Sequence, residues 1–115
     1  MKTHLIKLEE LLPSIQAQVL TDSRPVDISG CYISDLLSDV LARAQPGVLW
    51  ATIQTHRNVI SVAATKDIAG VLFTCDRKPD ASIIAEAEEQ GIALLSTSLT
   101  TYEAAGKLWE AGLRE

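Results

Sequence analysis

Three polar clusters in this 115-residue chain hold the side chains that could do chemistry. They are Gln54-Thr55-His56-Arg57-Asn58, Thr74-Cys75-Asp76-Arg77-Lys78 and Ser96-Thr97-Ser98-Leu99-Thr100-Thr101. Each follows an apolar run: Val48 to Ile53, Val71 to Phe73, and Ile92 to Leu95. The chemistry they suit is the holding of an anion, since Arg57, Arg77 and Lys78 can make charge-assisted hydrogen bonds. The candidate ligand-binding set is Gln54, Thr55, His56, Arg57, Thr74, Cys75, Asp76, Arg77, Ser96, Thr97 and Ser98. A nucleotide, an adenine nucleotide among them, or another phosphorylated metabolite fits that set. The competing reading makes Thr55, Asp80 and Thr100 helix caps and leaves the charges solvated, because caps need the same residue types.

Catalysis has weaker support. His56 as a general base needs a carboxylate or hydroxyl within hydrogen-bond reach, and Asp76 on a neighbouring loop is the only obvious candidate. Ser96 and Ser98 lack the GxSxG setting of an activated serine. No catalytic residue is assigned. Nor is a metal site: there is no CxxC, and neither His4 nor His56 stands at ligand spacing from a cysteine. Cys31 and Cys75 fall in or beside expected strands, where a free cysteine acts as a small apolar filler. No cofactor is implied.

The elements that must position the clusters follow from periodicity. A continuous run such as Val71-Leu72-Phe73 suits a strand covered on both faces, as in a parallel sheet. Residues 59–66 are β-branched and locally ambiguous. Parallel neighbours require a crossover, so this segment is expected to be a helix. Asp80 caps the next helix and Gly91 ends it; Thr100 and Glu103 form a capping box that starts the last one. Tyr102, Ala105, Leu108, Trp109 and Leu113 make that helix's expected buried stripe, with Glu103–Lys107 and Glu110–Arg114 pairs outside.

Earlier in the chain, residues 3–12 read as an amphipathic helix ended by Pro13. A brief strand over 18–21 and a turn at Asp22-Ser23-Arg24-Pro25 follow. Residues 26–33 read as one strand, with Gly30 marking a bulge or a close backbone approach. Ser34 is the expected cap of a helix whose stripe is Leu36, Leu37, Val40, Leu41 and Ala44. The predicted fold is α/β: a single three-layer-like domain over residues 1–115, its mostly parallel sheet of about five strands flanked by helices. In such a sheet all three clusters emerge at one edge, each beside a helix N-terminus whose dipole and free N–H groups favour anions.

The totals narrow the function classes. A formal charge of −5 with no basic patch argues against nucleic acid and anionic membrane as partners. Aromatic residues are only 4%, too few for base-stacking platforms. Charged residues at 22% and hydrophobic residues at 47% describe an ordinary globular domain. The start, Met1-Lys2-Thr3-His4, lacks signal-peptide character, and no apolar run approaches the ~20 residues of a membrane span. A cytoplasmic location is the expectation.

Three stretches resemble the DRTGG domain, a module related to the N-terminal domain of HPr kinase/phosphorylase. They are residues 30–41, from Gly30-Cys31-Tyr32 to Asp39-Val40-Leu41, then residues 50–58, and residues 94–105 around Ser96-Thr97-Ser98. The similarity covers roughly residues 5–113. It implies a small α/β regulatory module, dimeric and commonly attached to other domains such as CBS domains. The namesake motif is altered: Thr74-Cys75-Asp76 stands where the family has Thr-Gly-Gly, and His56-Arg57 keeps only the Arg of Asp-Arg. The kinase activity associated with the name is not expected, because no GxxxxGK[ST] P-loop is present to cradle phosphates.

Three functions stay open on this reading. The first is a non-catalytic regulatory or sensor module, a homodimer that binds a nucleotide. The second is an interaction subunit that docks on a partner enzyme or signalling protein. An enzyme using His56 and Asp76 is the third. Self-association is expected from the resemblance and from sheet edges that need covering.

Overall fold

The computed structural model describes residues 5–22 and 25–115. His4, and Ser23 and Arg24 of the expected turn, lie outside these residues. In chain order the elements are β1 (Ile6–Lys7), α1 (Leu8–Ile15), β2 (Gln18–Val19), β3 (Asp27–Ile28), β4 (Gly30–Ile33) and α2 (Leu37–Arg43). Then come β5 (Val48–Thr52), α3 (Asn58–Thr65), β6 (Gly70–Phe73), α4 (Ala81–Gln90), β7 (Ala93–Ser96) and α5 (Thr101–Glu110).

The main sheet has the order β2-β7-β6-β5-β4. Strands β4 to β7 are parallel, and β2 is antiparallel at the outer side of β7. The apolar runs are continuous because alternate side chains fill two different cores. Trp50, Val71, Phe73 and Leu94 point to one face, with Val40 of α2, Val59 and Ile60 of α3, and Ile83 and Ala87 of α4. Leu49, Ala51, Leu72 and Leu95 point to the other, with Leu11 and Ile15 of α1, and Ala104 and Leu108 of α5. Three consecutive crossovers of one hand place α2, α3 and α4 on the same side. The α/β class and the three layers expected from the sequence are therefore both present. Among the described residues no helix is long and apolar enough to cross a membrane.

Residues 59–66 are helical within α3, as the crossover argument requires. Several local expectations need correction. The first helix is not residues 3–12: Ile6 and Lys7 form β1 against Ile28 and Asp27 of β3, and α1 runs through Pro13 to Ile15. Proline removes one hydrogen bond, but Leu11 and Ile15 are both fully buried and hold the last turn in place. The single strand expected over 26–33 divides at Ser29, whose amide donates to Gly47 O at 2.9 Å, so β3 and β4 join different sheets. Gly30 does mark a close backbone approach: a Cβ there would collide with the carbonyl oxygen of Arg114.

The α2 helix begins at Leu37 rather than after Ser34. Its expected stripe holds only in part, with Val40 and Ala44 buried but Leu36 and Leu41 exposed. The α5 stripe is likewise rotated. Ala104, Leu108 and, beyond the helix, Leu113 are buried, whereas Tyr102 is 88% and Trp109 61% exposed. Ala104 and Leu108 pack into the core beneath the helix, and at its start the hydroxyl of Thr101 bonds that of Thr74 at 2.7 Å. Neither outer i, i+4 pair of α5 forms an ion pair. Glu103 instead completes the capping box with Thr100, and Arg114 stacks on the Trp109 ring.

Candidate functional site

The loop after β5 and the loop after β6 meet across an open groove of about 460 Å3 at the carboxyl ends of the strands. Ile53, Gln54, Thr55, His56 and Arg57 form one wall; Arg77, Asp80 and Ile83 form the other. The N-termini of α3 and α4 both face it, because each helix starts directly after its loop. Thus five of the sequence-derived candidates, Gln54, Thr55, His56, Arg57 and Arg77, are brought together.

Several of these side chains are already engaged. Arg57 pairs with Glu86 and donates to Ser82 Oγ at 3.2 Å, tying the start of α3 to α4. Ser82 in turn donates to Asp80 Oδ1 at 2.8 Å, and the Ile83 amide donates to the same oxygen. The Ser82 hydroxyl, followed by the Ile83 amide, holds the Asp80 carboxyl below the usual carboxylate range, and the Arg57 charge adds to this. His56 Nδ1 accepts from the Asn58 amide at 3.1 Å. The imidazole, rather than Thr55, thus satisfies the first amide of α3, whose cap residue Arg57 makes no side-chain cap bond. No hydrogen bond joins His56 to Asp76 among the described residues, and Asp76 is not part of the groove wall. The Arg77 guanidinium, by contrast, has neither ion pair nor hydrogen bond among the described residues, and it faces the groove from the β6–α4 loop.

The remaining candidates belong to a second, closed arrangement. Cys75 and Asp76 occupy left-handed backbone at φ 60° and 61°, the conformation that glycine adopts without cost. Their amides do not face outward. Cys75 N donates to Leu99 O and Asp76 N to Thr97 O, each at 2.8 Å, so the β6–α4 loop is stapled to the β7–α5 loop. The hydroxyls are spent the same way: Ser96 Oγ on Arg77 O at 2.8 Å, Thr97 Oγ1 on Ile15 O at 2.6 Å, and Thr74 on Thr101. Thr74, Ser96 and Thr97 are buried, while Cys75, Asp76 and Ser98 are exposed. The expectation of Cys75 as an apolar filler is thus overturned, since the residue lies outside the packed strand on the turn after it. Cys31 does fill that role: it is buried, and burial pushes its thiol up to about 12.

Asp35 is the residue that pattern reading missed. Its carboxylate accepts from Thr52 Oγ1 at 2.8 Å and from the Ile53 amide at 2.9 Å, and its carbonyl accepts from Gln54 Nε2 at 3.2 Å. It therefore fixes where β5 ends and where the groove wall begins. An aspartate two residues beyond a strand, next to a serine, was the available signal, but it reads locally as a helix cap. Among the described residues no group of His, Cys, Asp and Glu could hold a metal ion.

The architecture has a solved counterpart. The crystal structure of the CBS and DRTGG domains of the regulatory region of Clostridium perfringens pyrophosphatase, complexed with its activator diadenosine tetraphosphate, matches with a TM-score of 0.74. The match covers 88% of this chain and 45% of that one at 11% identity, so the likeness is one of fold, and this chain spans less than half of its neighbour. No curated protein matches the chain. The family model of the DRTGG domain matches residues 10–111, nearly the entire sequence, and the chain therefore belongs to the DRTGG domain family.

Proposed function

We propose that the chain is a non-catalytic regulatory module that pairs with a second copy and takes an adenine nucleotide or similar phosphorylated metabolite in the strand-end groove. The observation that carries this is the Arg77 guanidinium, unpaired among the described residues and lining the groove between two helix N-termini, a setting favourable to an anion. Gln54 and Thr55 offer neutral polar contacts on the opposite wall. His56 directs Nδ1 to the Asn58 amide and, among the described residues, has no acidic partner to form an acid–base pair; the module senses its ligand without transforming it. Nucleotide recognition gains support from the structural neighbour, whose regulatory region is complexed with diadenosine tetraphosphate.

The test is thermal unfolding of the whole chain against adenine mono-, di- and triphosphates and diadenosine tetraphosphate. A ligand at about 100 times its Kd should add about 2.7 kcal/mol to stability. The rise in Tm should vanish in Arg77→Ala. No shift with any of these compounds would refute the nucleotide reading.

A second reading is docking on a partner enzyme, with the groove as a protein contact. It is favoured by the setting of the neighbour, in which the DRTGG domain belongs to the regulatory region of a pyrophosphatase. Pull-down with the groove variant Arg77→Glu as control distinguishes it.

A further inference from the structure

The two faces of the sheet are covered by different elements. Three helices, α2, α3 and α4, pack on one side; α1, α5 and the β1–β3 ribbon, through Ile6 and Ile28, pack on the other. Beside α5 an apolar groove of about 270 Å3 is left open over the edge strand β4, with Ile33, Ala105, Leu108 and Trp109 among its walls. The adjoining surface of α5 carries two of the chain's five aromatic residues, Tyr102 and Trp109, both exposed. Between them, at i, i+3 and i, i+4 spacing, lie Ala105 and Gly106. A Cβ at Gly106 would have nothing within 4 Å, so the helix is bare at its middle. Arg114 lies over one face of the Trp109 ring, 3.6 Å from its centroid, which holds the indole in place beside the groove.

We infer that this surface is where a second copy of the chain docks, α5 against α5 and antiparallel. The argument is self-complementarity, which a two-fold interface demands because the same patch serves both subunits. Place the axis between Ala105 and Gly106. The small residues then face each other and let the helices approach, and Tyr102 lies against the partner's Trp109. The same register sets Glu103 beside the partner's Lys107, opposite charges in both copies. Each pair occurs twice. The open groove over β4 receives the partner's aromatic edge. Aromatic anchors in an apolar slot, rimmed by charge, are the usual composition of an interface centre.

This inference rests on the pairing put forward above and names its surface. Sedimentation of the whole chain over a dilution series tests it, alongside Gly106→Gln, Trp109→Ala and Lys107→Glu. Gly106→Gln is the decisive variant: it fills open space on an exposed helix, so the subunit keeps or gains stability while the helices can no longer meet. Each variant should weaken self-association about ten-fold or more, with Tm unchanged or higher in dilute Gly106→Gln. Iodide quenching of the exposed Trp109 should also fall as the wild-type chain assembles. A dimer of unchanged affinity in all three variants would overturn this surface and leave pairing intact. A wild-type chain that sediments at 12.4 kDa at every concentration would overturn both, whatever the nucleotide titrations show.

Discussion

The carbonyl oxygen of Arg114 lies directly over the Cα of Gly30 and accepts the amide hydrogen of Cys31 at 2.8 Å. The C-terminal turn thereby covers the first outward-facing backbone group of β4, an edge strand. Glycine is required there because any side chain would meet backbone rather than a flexible tip. Gly30→Ala should displace residues 113–115 and cost about 1–3 kcal/mol in urea unfolding. It should also open the buried Cys31 thiol to a thiol reagent, measured in a Cys75→Gly background so that only one cysteine reports.

Cys75 and Asp76 should be the places where glycine improves the protein. A non-glycine residue in left-handed backbone costs roughly 1–2 kcal/mol, and glycine's extra unfolded-state freedom returns about 0.5–1 kcal/mol of that gain. Cys75→Gly is therefore expected to stabilise by about 0.5–1 kcal/mol in the midpoint of chemical unfolding. Asp76→Gly should gain less, since Asp tolerates this region better. A loss of stability in Cys75→Gly would show that the side chain contributes more than its backbone costs.

The Asp80 carboxyl sets a pH dependence. Its folded value is depressed below the unfolded one, chiefly by the Ser82 hydroxyl, so the folded state releases this proton more readily. Its contribution is complete above the ordinary carboxylate range and is lost as pH falls through the depressed folded value. Asp80→Asn should lower stability at neutral and alkaline pH and leave it unchanged at the low-pH end, so that the acid side of the profile flattens. Unfolding midpoints from neutral pH down to the acid limb would show it.

Thr74 and Thr101 should behave as a coupled pair. Their hydroxyls bond at 2.7 Å where β6 meets α5, and Thr74 is fully buried. Thr101→Val leaves the Thr74 hydroxyl without its partner and should cost about 1–3 kcal/mol, whereas changing both to Val is closer to neutral. A double-mutant cycle with additive losses would disprove the coupling.

Much of the fold was legible along the chain. Asp80, Gly91 and the Thr100–Glu103 box end and begin helices where the sequence places them, because a cap is decided by the nearest four residues. The apolar runs at Leu49, Leu72 and Leu94 likewise require a sheet buried on both faces. Which residues of a helix face inward was less legible. Tyr102 and Trp109 continue an apolar stripe in sequence, yet Ala104 and Leu108 take the inward positions and leave both aromatics exposed.

The site divides along the same line. Residue types alone named the three loops as the polar ends of strands, and parallel topology put them at one edge. Only the tertiary structure decided that Gln54, Thr55, His56, Arg57 and Arg77 share a groove while the amides of Cys75 and Asp76 turn inward. The reason is that a hydrogen bond from the Asp76 amide to Thr97, or from the Thr52 hydroxyl to Asp35, joins segments distant in sequence. Local composition can supply a donor or an acceptor, but the packed sheet alone determines which partner each one reaches.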